Sequence, residues 1–375
     1  MNRRTFLICG SGALWAQDPP SRQIVVGLIG AGARGMQLLK ILLSESSVRI
    51  GAVCETYEPR MFGAVGLARS QGHRTRYYRI YRDLLSDRSL DAVVIATPDF
   101  WHCRMTIEAL EQQKAVYVEQ PLCRTWQEGV AMMATQRRSQ RVVQVGSQRR
   151  SSAFYAELAA RRNRQPAPVQ RIEARAASSY LLPGILKRGP TKLPEPLNFE
   201  DWQAAAETRV EYSPDRFLNW RFYSSYGGGS IADLGAPLLD GVHMVAGVSF
   251  PVTVMAHGEN SKYAGFDTAE RAKVEVEYPG GIVASMSIDG ASPRPGDAAS
   301  IRGHRERIEV NATAAGDATR MHLAEFLTCV RSGAAPSAPP DVVFPATLIC
   351  QMANLSIATG HKVRWISAES RVEDH

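Results

Sequence analysis

The feature that most constrains this chain is a glycine-rich turn between an apolar run and a helical stretch. Residues 24–35 read I-V-V-G-L-I-G-A-G-A-R-G, and helical sequence follows over 36–43. In Gly30-x-Gly32-x-x-Gly35 the first glycine allows a tight turn and the second lets backbone approach a pyrophosphate. The third lets the helix and strand pack closely. Because a helix start also offers free N–H groups to phosphate, this order predicts a dinucleotide-binding βα unit.

An acidic residue after the next strand indicates which dinucleotide would bind. A second apolar run over 48–54 ends at Glu55, 20 residues past Gly35. An acid at this spacing binds the adenosine ribose hydroxyls in dinucleotide-binding folds. Since a carboxylate would repel a 2′-phosphate, we expect NAD rather than NADP as the cofactor. A βα unit that binds no nucleotide is the alternative, because the glycine motif alone is weak evidence.

The hydrophobic pattern divides the chain into two regions. Up to about residue 148, six short apolar runs alternate with helical stretches, and the run at 91–97 is continuously apolar between its two end residues, as in a buried parallel strand. Later strands alternate apolar and polar residues, as in an antiparallel sheet with one solvated face. We therefore predict an α/β protein with a Rossmann-type, doubly wound parallel sheet over 22–148. A second α/β domain, with a large and mainly antiparallel sheet, is predicted over 149–375.

The first sixteen residues differ from the rest of the chain. Arg3 and Arg4 precede an apolar stretch that runs to Ala16, and Asp18-Pro19-Pro20 follows as a helix breaker. This pattern predicts a twin-arginine export signal over 1–16 and a periplasmic or otherwise exported protein. Because the apolar stretch is too short to span a bilayer, we expect no stable membrane insertion. An ordinary disordered N-terminus on a cytosolic reductase is the alternative.

Charge and cysteine content argue against two other classes of protein. The formal net charge is +7, but the basic residues are spread along the chain without interleaved aromatics, so we expect no nucleic-acid partner. Six cysteines include one in the predicted signal, which leaves an odd number and no C-x-x-C pair. Neither a disulfide framework nor a metal site is predicted.

Seven segments form an ordered set of motifs. They are G-A-G-A-R-G at 30–35, A-T-P-D-F-W-H at 96–102, K-A-V-Y-V-E-Q-P-L at 114–122, V-G-S-Q-R-R-S at 145–151, N-W-R-F-Y at 219–223, G-G-G-S-I-A-D-L-G-A at 227–236 and H-L-A-E-F-L-T-C-V-R-S-G at 322–333. With this set the chain resembles the Gfo/Idh/MocA family, which includes glucose–fructose oxidoreductase and inositol dehydrogenase. The resemblance implies an NAD(P)-binding first domain and a second domain that covers a carbohydrate substrate and supports homo-oligomer contacts.

The resemblance also assigns roles to individual positions. Four residues of the glycine turn would line the pyrophosphate, and Glu55 would hold the adenosine ribose. Thr97, Pro98 and His102 would flank the cofactor, although a histidine after a strand is as often a structural hydrogen-bonding group. Glu119 and Gln120 would lie beside the nicotinamide ribose. The pyrophosphate-lining residues are Gly30, Gly32, Arg34 and Gly35.

The expected proton-transfer groups are altered in this chain. Where the family has E-K-P, the sequence has Glu119-Gln120-Pro121, and Gln120 keeps N–H donors but cannot take a proton. Where the family has D-x-x-x-H, the sequence runs from Asp233 to Pro237, which has no titrating group. Of the usual lysine, aspartate and histidine, only Asp233 remains.

Other groups near Asp233 are candidates to replace the missing pair. Helical spacing places Asp233, Pro237 and Asp240 on one face at i, i+4 and i+7, so the two aspartates could serve as a base or bind sugar hydroxyls. Our catalytic candidates are therefore Asp233, Gln120 and Asp240. Three further side chains could transfer protons or simply pack in the core: His243, Tyr223 and Tyr226.

Two functional hypotheses follow from these substitutions. The first is an exported NAD-dependent oxidoreductase of a sugar, polyol or glycoside, which retains its cofactor and returns the hydride within one active site. The second is a catalytically altered scaffold that keeps NAD and binds carbohydrate or a protein partner without redox turnover. The intact cofactor motifs favour the first hypothesis, and Gln120 and Pro237 favour the second.

Overall fold

Two β-sheets organise the structure, which is a computed structural model. One sheet has six strands and the other has eight. The predicted export signal over 1–16 lies outside the residues that the structure describes. These residues are 22–164, 168–182, 185–186, 192, 197–263, 265–303, 306–311 and 317–374.

The first sheet is parallel throughout and has the order β3-β2-β1-β4-β5-β6. Its strands are β1 (Ile24–Ile29), β2 (Val48–Cys54), β3 (Arg76–Tyr78), β4 (Ala92–Ile95), β5 (Ala115–Val118) and β6 (Val143–Val145). The strand order reverses between β1 and β4, which opens a crevice at their carboxyl ends. The predicted doubly wound sheet is therefore confirmed.

Five helices connect these strands. They are α1 (Ala33–Leu43), α2 (Glu58–Ser70), α3 (Tyr81–Leu85), α4 (Asp99–Glu111) and α5 (Trp126–Ser139). Helix α5 begins with a capping box, in which Thr125 and Glu128 satisfy each other's backbone N–H groups. Helix α1 begins three residues before the predicted start, because the glycine motif itself supplies the first helical turn.

The second sheet has the order β12-β11-β7-β10-β9-β8-β13-β14 and is antiparallel except for the β7–β10 pair. Its strands are β7 (Val169–Ala177), β8 (Thr253–Asn260), β9 (Ala269–Tyr278), β10 (Ile282–Asp289), β11 (Gly296–Gly303), β12 (Arg307–Asn311), β13 (Val363–Ile366) and β14 (Arg371–Asp374). This confirms the predicted mainly antiparallel sheet. Strands β11, β13 and β14 were not predicted, because they are short or carry weak alternation.

Six more helices complete the described chain. They are α6 (Ala153–Arg164), α7 (Phe199–Trp202), α8 (Pro214–Leu218), α9 (Ala236–Ala246), α10 (Thr319–Ser332) and α11 (Pro340–Thr359). Helix α11 has Pro340 in its first turn, where a proline is well tolerated, and a second proline, Pro345, inside it. Among the described helices, α11 alone is long and apolar enough to cross a membrane, but 61% of its apolar window is buried. It packs against β8, α9 and α5, as a core helix does.

The two sequence regions are not separate in space. Helix α10 follows the second sheet's first six strands in the chain, yet it packs on the first sheet. Leu323, Phe326 and Leu327 lie in the same buried cluster as Tyr117 of β5. This packing brings the residues just before α10 close to the start of α1. There the Nε2–H of Gln37 donates to Oδ2 of Asp317 at 3.4 Å. The division at residue 148 therefore describes the two sheets but not the helices that cover them.

Candidate active site

A cavity of about 830 Å³ lies at the carboxyl ends of β1, β4 and β5. The first sheet contributes the glycine turn, Glu55, and the loops that follow β4 and β5. The second region contributes one wall, and the first residues of α10 close one side. The wall residues from the second region include Trp202, Phe217, Trp220, Arg221, Asp233 and Pro237.

The geometry of the glycine turn fits a bound dinucleotide. Gly30 has φ +90°, and a Cβ added to it would lie 2.6 Å from the backbone oxygen of Ala96. A Cβ on Gly35 would lie 2.0 Å from the oxygen of Gly30. In contrast, a Cβ on Gly32 would meet nothing within 4 Å, and Gly32 caps α1 without a side-chain hydrogen bond. The helix start is therefore open to the cavity, as a pyrophosphate site requires.

Glu55 closes this turn from the end of β2. Its Oε2 accepts the N–H of Ala31 at 2.9 Å, and its Oε1 accepts the N–H groups of Thr56 at 2.8 Å and Tyr57 at 3.1 Å. Oε1 also accepts the hydroxyl of Thr56 at 3.2 Å, so its lone pairs are used, whereas Oε2 accepts a single bond and keeps a lone pair for a ribose hydroxyl. The cavity thus has a fixed acidic group where the sequence predicts the adenosine ribose. The residues present fit NAD.

Glu119 lies at the other end of the cofactor region. Its Oε1 accepts the Nε–H of Arg34 at 2.9 Å, and the pair links the loop after β5 to the first turn of α1. Burial raises the pKa of Glu119, and the positive charge of Arg34 opposes that shift. Arg34 lines the cavity as predicted, but its guanidinium is committed to Glu119 and Gln37.

His102 lies behind the cavity wall and is not among the residues that line it. Its Nδ1 is 2.7 Å from the oxygen of Pro121, and its Nε2 is 3.0 Å from the oxygen of Thr97. Burial lowers the pKa of His102. The imidazole therefore ties together the loops that follow β4 and β5. Thr97 and Pro98 do line the cavity, so His102 would act on a cofactor only through them.

The residues that replace the family's catalytic lysine and histidine, Gln120 and Pro237, both line the cavity. We call the end of the cavity that they share with Asp233 the substrate end. Gln120, Asp233 and Pro237 all line it, as the resemblance implies. Arg221 holds Asp233, because its Nε–H donates to Oδ1 at 2.9 Å. The same guanidinium lies 4.3 Å from the centre of the Trp220 ring. This end of the cavity thus has a paired carboxylate, an amide and an aromatic face.

Asp240 is not part of this group. Its side chain is 0% exposed and is ion-paired with Arg150, away from the cavity. The reason is a π-helical turn over Ile231–Gly235, which precedes α9 and widens the residue spacing. The predicted shared face therefore holds for Asp233 and Pro237 but not for Asp240. Pro237 lies where the π-helical turn passes into α9, within helical backbone that already begins at 229, so the irregular turn and not a free helix start accommodates it.

The three remaining proton-transfer candidates are packed in the core. The Nε2 of His243 is 2.9 Å from the hydroxyl of Tyr278, and burial lowers the pKa of His243 to about 3. Tyr226 is fully buried and hydrogen-bonds Gln203. Tyr223 is also buried and packs under the guanidinium of Arg216. None of the three lines the cavity, so the packing alternative holds for each.

Asp99 is a cavity residue that the sequence analysis did not select. It occupies the first turn of α4, is 5% exposed and faces both Arg221 and Asp233. Burial raises the pKa of Asp99 well above its usual range, Arg221 opposes the shift, and Asp233 adds to it. Its position directly after Thr97-Pro98, at the carboxyl end of a strand, was the sequence signal that could have identified it as a cavity residue. Arg221 was missed because its role depends on tertiary pairing with Asp233.

Two family models match the sequence. The model of the oxidoreductase family with an NAD-binding Rossmann fold covers residues 24–147, and the GFO/IDH/MocA C-terminal domain covers residues 203–314. Among curated proteins, a glycosyl hydrolase family 109 protein from Shewanella sp. (strain W3-18-1) is 34% identical over 137 residues. That match spans 35% of this chain and 30% of the relative.

Solved structures share the fold over nearly the whole chain. A myo-inositol 2-dehydrogenase from Lactobacillus plantarum superposes with a TM-score of 0.72 at 16% identity, over 92% of this chain and 99% of that one. A scyllo-inositol dehydrogenase from Lactobacillus casei, with bound NAD(H) and scyllo-inositol, gives 0.71 at 13% identity, over 92% and 99%. With both family models in order and the cofactor turn intact, the chain belongs to the Gfo/Idh/MocA family of oxidoreductases and has its NAD-binding Rossmann domain.

Proposed function

We propose that this protein is an NAD-dependent oxidoreductase that acts on a CH–OH group of a sugar, polyol or glycoside. One observation carries the proposal. The pyrophosphate turn and the Asp233–Arg221 pair line the same cavity, with Glu119 and Gln120 between them. A cofactor laid along the turn would bring its reactive end to the polar group that contains Asp233. The inositol dehydrogenase structures and the glycosyl hydrolase relative support a polyol or sugar substrate.

The residues of the cavity suggest how the proton is handled. Bound NAD supplies the acceptor for the hydride that leaves the carbon. Asp233 takes the hydroxyl proton as the C–O bond becomes a carbonyl, so the alcohol loses one hydride and one proton. Arg221 orients Asp233 through the hydrogen bond from its Nε–H to Oδ1. A positioned base of this kind contributes about 10²- to 10⁴-fold in rate.

The charges at this end of the cavity favour a neutral substrate. Arg221 is paired with Asp233, and Arg149 is paired with Asp297. Asp99 adds a further acidic group beside the first pair. An anionic sugar would therefore meet compensated cations and an additional carboxyl group. Hydroxyl groups, in contrast, would find donors and acceptors together with the aromatic face of Trp220.

The alternative is a scaffold that binds NAD and carbohydrate without redox turnover. Gln120 and Pro237 favour it, because both occupy the cavity and neither can accept a proton. In that case the Asp233–Arg221 pair would bind sugar hydroxyls rather than serve as a base. The two candidates differ in turnover and not in ligand binding, so binding data alone do not separate them.

The experiment combines nucleotide extraction with a substrate panel. The purified protein is assayed for retained NAD, then given inositols, hexoses and N-acetylhexosaminides while the absorbance at 340 nm and the products are followed. Turnover by the wild type supports the enzyme. Retained NAD with neither NADH nor any product supports the scaffold, particularly if Gln120→Lys with Pro237→His then produces sugar-dependent NADH. Absence of nucleotide binding would contradict both candidates.

We further propose that residues 1–16 direct export, a proposal that rests on the twin-arginine pattern alone. Because the pathway transports folded proteins, NAD could be loaded before export and retained afterwards. Mass spectrometry of the periplasmic fraction is expected to find an N-terminus at Gln17. Arg3→Lys with Arg4→Lys is expected to retain the protein in the cytoplasm. A cytoplasmic wild type with an intact N-terminus would contradict the proposal.

Homo-oligomer formation is proposed through the outer face of the second sheet. Helices α9 and α11 cover one face, while the other exposes Arg171, Glu173 and Glu275. Such a contact would be polar and sensitive to ionic strength. Light scattering of the full chain in low and high salt is the test. A monomer under both conditions would contradict this proposal and leave the cavity unaffected.

A further inference from the structure

A chain of buried hydrogen bonds joins the second region to the cavity. Both carboxylate oxygens of Asp240 accept the Nε–H of Arg150 at 2.9 Å, and Oδ1 also accepts its Nη2–H at 2.6 Å. The hydroxyl of Ser147 donates to Oδ2 of Asp240. The Nε2 of Gln120 is in turn 3.2 Å from the Oγ of Ser147. The chain therefore runs from Arg150 to the amide of Gln120.

The direction of each hydrogen bond in this chain is fixed by chemistry. A carboxylate that faces a guanidinium only accepts, so Ser147 gives its single proton to Asp240. The Oγ of Ser147 then has only lone pairs to offer to Gln120. The amide of Gln120 must present its NH₂ group to Ser147, which settles an orientation that would otherwise be ambiguous. Its carbonyl oxygen, Oε1, is the acceptor left for the cavity.

We propose that Arg150, Asp240 and Ser147 are positioning residues that make Gln120 present a hydrogen-bond acceptor to the substrate. Where the family has a lysine, which only donates, this chain offers Oε1 to a hydroxyl or N–H group. The inference rests on the proposed function for the identity of the substrate, but the orientation of the amide stands independently of it. It gives the fully buried Asp240 a role that requires no contact with the substrate.

The arrangement predicts which substrates this end of the cavity selects. A hydroxyl group donates to Oε1, whereas an ether, carbonyl or carboxylate oxygen at the same place has no proton to donate. The alcohol form of a substrate is therefore held by Gln120 and a ketone at that atom is not. The loops after β5 and β6 and helix α9 must keep their relative positions for this selection to work, because they carry Gln120, Ser147 and Asp240 respectively.

Nuclear magnetic resonance tests the amide orientation without turnover. NAD-loaded protein is labelled with ¹⁵N-glutamine, and the side-chain signals of Gln120 are assigned by their loss in Gln120→Leu. One N–H proton is expected downfield, because it is donated to a serine oxygen polarised by a carboxylate. Ser147→Ala should move it to the position of a solvent-exposed amide. Ser230→Ala, which removes another buried serine hydroxyl, should leave it in place. An unchanged signal in Ser147→Ala would overturn the proposal.

Kinetics with whichever polyol shows turnover provide the second test. Ser147→Ala and Gln120→Leu are each expected to raise KM about tenfold, the effect of one hydrogen bond, with the Kd of NAD unchanged. The leucine variant is informative because it has no acceptor to replace Oε1. The KM of the double variant should be no higher than the higher KM of the two single variants, since both substitutions break the same series of hydrogen bonds. A double variant whose KM rises by the product of the two single effects, or a wild-type KM in Gln120→Leu, would overturn the proposal. If the wild type turns over no polyol, the proposed function fails and the resonance experiment alone decides.

Discussion

The two ends of the cavity are built in different ways. The cofactor end depends on residues 30–55, where Gly30, Gly32 and Gly35 act through the backbone and Glu55 binds backbone N–H groups. The substrate end brings together Gln120, Arg221, Asp233 and Pro237 from distant parts of the chain, and it acts through side chains. The family pattern is intact at the first end and altered at the second.

This difference shows which kind of site tolerates replacement. The pyrophosphate turn tolerates few substitutions, because a Cβ at Gly30 or Gly35 would collide with backbone atoms. A proton-transfer group can be lost while its neighbours still hold a carboxylate, as Arg221 holds Asp233. The molecule can therefore keep NAD while its chemistry changes. Substitutions at the two ends are therefore expected to have different effects, on turnover at one end and on NAD binding and folding at the other.

The largest expected effect is on turnover at the substrate end. Asp233→Asn should lower kcat by about 10²- to 10⁴-fold, because asparagine keeps the contact with Arg221 but cannot take a proton. The Kd of NAD should stay within about threefold. Asp267→Asn, an exposed aspartate outside the cavity, is the matched control and should retain wild-type kcat. A kcat for Asp233→Asn equal to that of the control would remove Asp233 from the mechanism.

At the cofactor end, Gly35→Ala should damage both folding and NAD binding. The added Cβ would lie 2.0 Å from the oxygen of Gly30, so helix α1 must move away from β1. We expect a loss of about 2 kcal/mol in the free energy of unfolding and at least tenfold weaker NAD binding. Gly63→Ala is the control, since its Cβ meets nothing within 4 Å and it lies in helix α2. Equal free energies of unfolding for Gly35→Ala and Gly63→Ala, measured in urea, would contradict the close packing at Gly35.

Gly32→Ala should separate binding from folding. Its backbone has φ −67° and ψ −173°, which alanine adopts without strain, and its Cβ would point into open space. The free energy of unfolding should therefore change by less than about 0.5 kcal/mol. NAD affinity should fall about tenfold, because the methyl group occupies the approach to the pyrophosphate. Calorimetry that finds wild-type affinity would show that the cofactor does not lie along this turn.

The smallest effect is a pH dependence that arises from Asp99. Because burial raises its folded pKa, the native state holds this proton more tightly than the unfolded chain does. Its contribution to stability is thus present at low pH and is lost as pH rises above about 4 towards the folded pKa. Asparagine cannot ionise, so the free energy of unfolding of Asp99→Asn should rise relative to that of wild type as the pH increases from 4 to 8. Urea unfolding across this range is the measurement, and a constant difference would contradict the shift.

Much of the fold was predictable from sequence because its signals are local. Apolar runs over 91–97 and 115–118 indicate buried parallel strands, and Gly30 to Gly35 identifies the turn between β1 and α1. Strand β11 was not predicted because glycine, serine and charged residues interrupt its alternation, and β13 was not predicted because it has only four residues. The position of α10 on the first sheet is also absent from the local pattern, since it depends on contacts with Tyr117.

The substrate end could be predicted only in part. Helical spacing placed Asp233 and Pro237 on one face, and both residues line the cavity. Asp240 was misplaced because the π-helical turn over Ile231–Gly235 breaks that spacing, and nothing in the local sequence reveals the extra residue per turn. Arg221 and Asp99 become functional candidates only when the fold brings them together.

Isotope incorporation in D₂O tests the central claim, redox chemistry on a retained NAD, most directly. NAD-loaded protein is incubated with each polyol and glycoside in D₂O, and the same sample is followed at 340 nm and by mass spectrometry of the recovered sugar. Oxidation acidifies the neighbouring C–H bond, so even a hydride that returns leaves deuterium beside the reacting carbon. We predict NADH, deuterated sugar or both, and their loss in Asp233→Asn. Bound NAD with neither signal for any sugar in the panel would contradict the enzyme and leave the scaffold.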